Sequence, residues 1–274
     1  MNIGFVCTNY NNSKYTREAV SSLLRDGPDE YRIVVVDNNS DRKDVEALRS
    51  IASECQHVEL ILNKENVGYF KGLNVGIRHL RSSQPDIKIM IVGNNDLVFQ
   101  SGFTESVRRK VSLFEKYAVV SPDIVTLDGV HQNPHVISKI SKFREFVYSL
   151  YYANYYLALA IRQLAKLTRS FTERRDQTHH EIAQEIYSGL GACYLLGPLF
   201  FRHFQELWAP TFLMHEEYFL RKQLSDKGLR IYYEPSIKVL HYFNAAVGAL
   251  EAKKAWHAAR EAHKVYRQYV KVFG

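Results

Sequence analysis

Hydrophobic residues in the first half of the chain follow two alternating periods. "NIGFV", "YRIVVVD", "HVELILN" and "IKIMIVG" are short, β-branched and almost wholly apolar, as strands covered on both faces should be. Stretches of helix length separate them. "YTREAVSSLLRD" sets Ala19, Val20, Leu23 and Leu24 on one face before Gly27-Pro28 stops it, and "RKDVEALRSIASE" does the same with Val45, Leu48, Ile51 and Ala52. The alternation predicts βαβ repetition: an α/β fold with a mostly parallel sheet flanked by helices.

The second half reads differently. From about Lys139 to Tyr187 the period is helical and rich in tyrosine, after which "ACYLL" and "RIYYE" look like isolated strands. "PDIVTLDGVHQNPH" (122–135) reads as a surface loop, and the last 30 residues predict a terminal helix. Without a repeat, a low-complexity tract or a Gly/Ser linker, the expectation is one domain over 1–243 with a C-terminal helical extension, 244–274. Within that domain, 1–121 forms the first half, and the second carries the helical segment 139–187.

With 274 residues, 46% hydrophobic and 24% charged, the composition is that of a folded globular chain and excludes disorder. Cys7, Cys55 and Cys193 are too few and too scattered for a disulfide framework or a CxxC metal site, which favours a reducing compartment. Met1 leads directly into a strand without a basic leader, and no apolar run approaches the ~20 residues that span a bilayer, so a cytoplasmic location is expected. The net charge of +7 is regional. Eight basic residues against two acidic ones lie between Lys139 and Arg175, and six against two between Glu251 and Lys271.

In an open α/β sheet, ligands bind beyond the carboxyl ends of the strands. Here those ends read "CTNYNN", "DNNSD", "NKENVG" and "GNND", short polar groups suited to a ligand with many oxygens. A dinucleotide fold would need G-x-G-x-x-G after its first strand, yet "CTNYNNSKY" has no glycine, and a P-loop is missing too.

"VVVDNNSDR", "NKENVGYFKGLNVGI", "NND" and the Glu-Glu pair of "FLMHEEYFLRKQLSDKGLRIYYEPSIKVLHY", in that order over roughly residues 3 to 243, resemble glycosyltransferase family 2, the inverting enzymes of the GT-A fold. The likeness extends to rhamnosyltransferase-like enzymes of bacterial glycan assembly. The resemblance implies a nucleoside-diphosphate sugar donor, UDP- or dTDP-linked, a Mn²⁺ or Mg²⁺ ion, and a saccharide or lipid-linked acceptor. It makes 1–121 the nucleotide-binding half and the rest the acceptor side.

Carried onto this chain, the resemblance gives Asp37 the nucleobase, against the plain reading of an Asx-turn before the next helix. Thr8 and Tyr10 fall at the neighbouring base-binding edge, where Tyr10 is equally readable as core. Gly68 and Gly72 open a helix where backbone N–H groups suit a phosphate. Lys71 adds a cation there or is simply solvent-exposed, and Asn66 and Asn74 hold the loop or touch the nucleotide. In "NND", Asp96 is the metal ligand, with Asn94 and Asn95 on the donor; Asn94 stands where the family usually has an aspartate, which weakens the charge offered to a cation. A polar turn after a buried strand is the alternative. His241 reaches the metal or diphosphate, or is structural. Glu217 is the general base with Glu216 beside it, or the two merely complement a helix dipole. Gly189 and Gly191 border the acceptor, and Trp208 is a stacking platform or a buried tryptophan.

Two other classes are carried alongside: a non-catalytic nucleotide-sugar binder, because "NND" lacks its first aspartate, and a basic nucleic-acid-binding protein, because the pI is near 9.1. No nucleic-acid partner is expected. Finally, "FVYSLYYANYYLALAI" holds 16 uncharged residues with five tyrosines between Arg144-Glu145 and Arg162. It predicts an interfacial helix that brings 139–175 to the inner membrane face, against a core or oligomer helix.

Overall fold

The computed structural model describes residues 2–167, 176–242 and 252–270. Parallel strands β1 (Ile3–Asn9), β2 (Tyr31–Asp37), β3 (Val58–Leu62) and β4 (Ile89–Asn94) alternate with helices α1 (Ser13–Asp26), α2 (Arg42–Glu54) and α3 (Tyr69–Ser83). Beyond them come β5 (Leu97–Phe99), α4 (Phe103–Arg109), α5 (Leu113–Lys116) and β6 (Val119–Thr126). A helical pair, α6 (Lys142–Ala153) and α7 (Tyr155–Leu167), precedes β7 (Gln184–Ile186), β8 (Cys193–Leu196), α8 (Pro198–His203), α9 (Glu216–Ser225), β9 (Ile231–His241) and α10 (Ala252–Tyr269). Among the described residues the strands form one sheet in the order β3-β2-β1-β4-β8-β6-β9-β5, with β7 on β9.

The nearly unbroken apolar runs are explained by two cores, one on each face. Ile3, Phe5 and Cys7 of β1 and Ile33 and Val35 of β2 pack with Leu23 of α1 and Leu48 of α2. Val6, Val34 and Val36 point the other way, onto Phe70, Leu73 and Ile77 of α3. Successive side chains of a strand alternate faces, so a strand covered twice has no polar face to show.

Three expectations change. The segment 122–135 is not simply a surface loop, because its first part belongs to β6, every residue of which is buried. Asp123 disguises it: this carboxylate is 1% exposed and pairs with His131 and Lys238 where β6 shifts register against β9. "ACYLL" and "RIYYE" are not isolated, since β8 joins β4 to β6 in the middle of the sheet and β9 runs parallel to β6. The tyrosine-rich stretch is two helices, divided at Asn154, whose extended backbone ends α6 and whose Oδ1 accepts from Tyr156 N. Arg169, Glu173, Arg174 and Arg175 of the basic segment, and Glu251 and Lys271 of the tail, lie outside the described residues.

The terminal helix is present as α10 and packs on α6. The three cysteines are free, and burial pushes the Cys7 thiol up to about 12. Among the described residues no helix is long and apolar enough to cross a membrane.

Candidate functional site

Strand register lines up the polar ends of the sheet. Asn9 stands opposite Asp37, and Thr8 opposite Asn94. The β5–β9 ladder sets Leu97 opposite His241, and Tyr242 N donates to the Asp96 carbonyl, which draws Asp96 and His241 together from distant parts of the chain. His241 Nε2 lies 3.2 Å from Asp96 Oδ1, and both residues are buried. The His241 Nδ1–H donates to Gln132 Oε1 at 2.7 Å, an acceptor that fixes the proton on Nδ1 of the neutral ring. Nε2 then presents a lone pair, to which Asn94 Nδ2 donates at 3.3 Å. Among the described residues Asp96 Oδ1 accepts no hydrogen bond. A buried carboxylate oxygen facing an imidazole lone pair is an arrangement that a cation between them, or a proton on the ring, would stabilise.

The two glutamates stand across β8 from this pair. Asn94 N donates to the Ala192 carbonyl, and Glu217 Oε2 comes within 3.9 Å of where a Cβ on the neighbouring Gly191 would be. Tyr69, the first residue of α3, donates its hydroxyl to the Gly191 carbonyl at 2.8 Å. Glu216 is 8% exposed, and its Oε1 has no hydrogen-bond partner. Desolvation, then the neighbouring Glu217 charge, raise its carboxyl to about 8, so Glu216 is mostly protonated at neutral pH. Met214 and His215, just before the pair, both adopt left-handed backbone, with φ of 75° and 66°. Such strain in non-glycine residues is held only where the surroundings demand it, and often at working sites.

Several residues assigned to the donor have structural partners instead. Asn95 Nδ2 donates to Asn9, Asn12 and Thr16 beneath the β1–α1 turn, which puts its amide to use inside the scaffold. Asn74 is clamped to Leu207 through its backbone N–H and carbonyl. Asn66 Oδ1 accepts from Gly68 N and so shapes the loop. Gly68 allows a close approach: with φ of 90°, a Cβ there would lie 2.0 Å from the Phe212 carbonyl, which also accepts from Tyr69 N. Gly72 lets α3 lie on the strand ends, since a Cβ would meet Thr8 Cγ2 at 2.7 Å.

Lys71 is exposed and lines a separate cleft of about 820 Å³ with Asn74, Trp208 and Tyr269, where Trp208 packs edge-on against Phe219 and Tyr269. Asp37 is 1% exposed and accepts from Asn9 Nδ2, Ser40 Oγ and Ser40 N, so it closes the turn into α2. Tyr10 is half exposed and therefore not core, and Thr8 stays partly accessible beside it. Two residues had no signal in the sequence: Asn9, the fully buried hub of the strand-end network, and Gln132, which sets the His241 tautomer.

Comparison with known proteins extends this geometry. GalNAc-T7, crystallised with UDP, GalNAc and Mn2+, shares the fold at a TM-score of 0.56 with 12% identity over 88% of this chain and 43% of its own, so this chain spans less than half of it. TarS 1-349 of S. aureus superposes at 0.54 with 12% identity, covering 100% of this chain and 74% of its own. The mannosyltransferase PcManGT from Pyrobaculum calidifontis, in complex with GDP-Man and Mn2+, gives 0.54 with 13% identity over 99% and 72%. No curated protein matches well enough in sequence to serve as a relative. The fold is thus GT-A-like, with a mixed, mostly parallel sheet. Since the sequence pattern of Glycosyl transferase family 2 matches residues 5–165, more than half of the chain, the protein belongs to that family.

Proposed function

We propose that the protein is an inverting glycosyltransferase that moves a hexosyl or deoxyhexosyl unit from a nucleoside-diphosphate sugar to a saccharide or lipid-linked saccharide. The observation that carries this reading is the buried Asp96–His241 pair at the strand ends, with Glu217 across Gly191 from it. A divalent cation fits the pair, because Asp96 Oδ1 accepts no hydrogen bond among the described residues and His241 Nε2 lies 3.2 Å from it. Among the described residues no group of three or more His, Cys, Asp or Glu could hold a metal, so the donor diphosphate would supply further ligands. Mn²⁺ or Mg²⁺ held by Asp96 and His241 would stabilise the charge on the departing nucleoside diphosphate.

The rest is the work of side chains. Glu217 takes the proton of an acceptor hydroxyl as its oxygen bonds the anomeric carbon. The bond from that carbon to the diphosphate breaks on the opposite face, and the leaving group keeps the electron pair. Glu216, held protonated, adds no second negative charge beside the base. Thr8, Asp37 and Asn94 border the nucleotide. The UDP and GDP-Man in the GalNAc-T7 and PcManGT structures support a nucleoside-diphosphate donor. The test is a panel of UDP-, dTDP- and GDP-sugars scored for Mn²⁺-dependent thermal stabilisation and for release of nucleoside diphosphate. Stabilisation by one class with turnover is expected; stabilisation without any turnover would leave a sugar-nucleotide binder.

The reading includes docking on a membrane surface, in keeping with a role in cell-surface polysaccharide synthesis at the inner membrane face. Phe143 (75% exposed), Leu164 (62%) and Leu167 (85%) project from α6 and α7 with Lys142, Arg162 and Lys166 among them. Apolar side chains with a cationic rim suit an anionic lipid surface. Co-sedimentation with anionic vesicles at low salt, lost at high salt and in a protein with Arg162 and Lys166 changed to Gln, is the expected result. Negligible binding by both proteins would leave this face to an oligomer.

A further inference from the structure

The inner faces of α6 and α10 enclose a cavity of about 230 Å³ next to Glu217. Three of its lining residues carry a buried polar atom that has no hydrogen-bond partner among the described residues: Glu145 Oε2, His263 Nε2 and His135 Nδ1. Glu145 and His263 are 6% and 5% exposed. Leaving such a group unmet is costly, so three around one cavity are most simply accounted for by a ligand that meets them. Glu145 is already anchored, because its other oxygen accepts from the Tyr266 hydroxyl at 2.7 Å. The Tyr152 ring lies against His263 with centroids 4.5 Å apart and forms an aromatic wall.

The chemistry of the lining restricts the occupant. Glu145 and Glu217 repel an anion, and no lysine or arginine is among the described residues that line the cavity. Burial holds His215 and His263 at about 4, so both rings are neutral at pH 7 and can donate as well as accept. The volume lies below the ~300–1,000 Å³ of ordinary ligand pockets. It suits one ring bearing several hydroxyls.

We propose that this cavity is a subsite for one neutral pyranose of the acceptor, with Glu145 and His263 binding ring hydroxyls and Tyr152 facing the ring. The proposal rests on the reading of Glu217 as base, since Glu217 is the wall shared by the cavity and the Gly191 side of β8. A ring seated there presents one hydroxyl to Glu217. His263 and Tyr266 lie on α10, so the C-terminal helix supplies part of the lining.

The test uses neutral methyl glycosides (of glucose, galactose, mannose, rhamnose and N-acetylglucosamine) as probes, followed by saturation-transfer NMR on the full chain. At least one should bind, and inorganic phosphate should not compete with it. His263→Gln should weaken that binding tenfold or more. Ala259→Phe, which fills the cavity from α10 and leaves Glu145 and His263 unsubstituted, should abolish it even if His263→Gln fails to fold. Binding of no glycoside, or unchanged binding in Ala259→Phe, would overturn the subsite. Mn²⁺-dependent stabilisation by UDP or GDP is read separately on the same proteins. Its absence from all of them, with glycoside binding retained, would overturn the donor reading and leave the subsite standing.

Discussion

Buried polar side chains in the β1–β4 half largely satisfy one another, whereas in the second half several have no partner among the described residues. Asn9 alone ties Asp37, Ser40, Asp44, Thr16 and Asn95 together under the first three strand ends. Eight buried side-chain nitrogen or oxygen atoms lack a hydrogen-bond partner among the described residues, and only Asp96 Oδ1 comes from the first half. Glu216, Glu145, His135 and His263 supply four of the others. A saturated network makes a rigid scaffold, while unmet groups gathered near Glu217 cost stability that a ligand can return. The first half is therefore prepared by its own contacts, and the second awaits contacts from outside.

Breaking the unsaturated side should change chemistry and leave the scaffold. Glu217→Gln keeps the shape but cannot take a proton, and transfer should fall ~10²–10⁴-fold with nucleotide-dependent stabilisation retained. Kinetics alongside thermal shifts check this; full transfer by the variant would move the base elsewhere. Asp96→Asn should weaken Mn²⁺-dependent nucleotide binding by at least ~10-fold, since even residues that only support metal ligands cost 10–100-fold when lost. Titration calorimetry with UDP or GDP, with and without Mn²⁺, reads it.

Breaking the saturated side should do the opposite. Asn95→Ala strips donors from Asn9, Asn12 and Thr16 and should destabilise the fold by about 1–3 kcal/mol, seen as a lower urea midpoint at constant slope. Nucleotide affinity should hardly change.

A pH series sharpens the contrast. Burial, then the neighbouring Glu217 charge, raise the folded Glu216 carboxyl from its ordinary 4.5 to about 8. The unfolded chain releases this proton first, so folding loses stability as pH rises from about 4.5 to about 8, and the loss levels off above that. The slope is at most about 1.4 kcal/mol per pH unit. Glu216→Gln should lack it, so urea midpoints of the two proteins measured from pH 5 to pH 8 should not run parallel. Parallel lines would mean that Glu216 is ionised throughout.

Where the sequence carried a period, it was legible. β2 and α2 span the residues that hydrophobic alternation predicts, because a strand covered on both faces and a helix covered on one each leave a local signature. The tyrosines of α6 and α7 show where that signature ends. Glu145, Tyr148 and Tyr152 line the cavity while Phe143, Phe146 and Leu150 are exposed, and the buried residue of this amphipathic helix is the carboxylate Glu145. The outward residues are those that periodicity assigns to a core.

What the chain alone determined is the order of its elements and the kinds of side chain at the strand ends, since both follow from local spacing. Tertiary structure decided which of those side chains face one another. "NND" places three polar residues in a row, but sheet register sends Asn95 beneath the β1–α1 turn and Asp96 to His241, which only the β5–β9 ladder brings near. The cavity depends likewise on α10 folding back on α6, a contact between apolar and polar surfaces far apart in the chain. Local periodicity fixes the direction of a side chain within its own helix or strand. Its partner is chosen by the packing of the whole molecule.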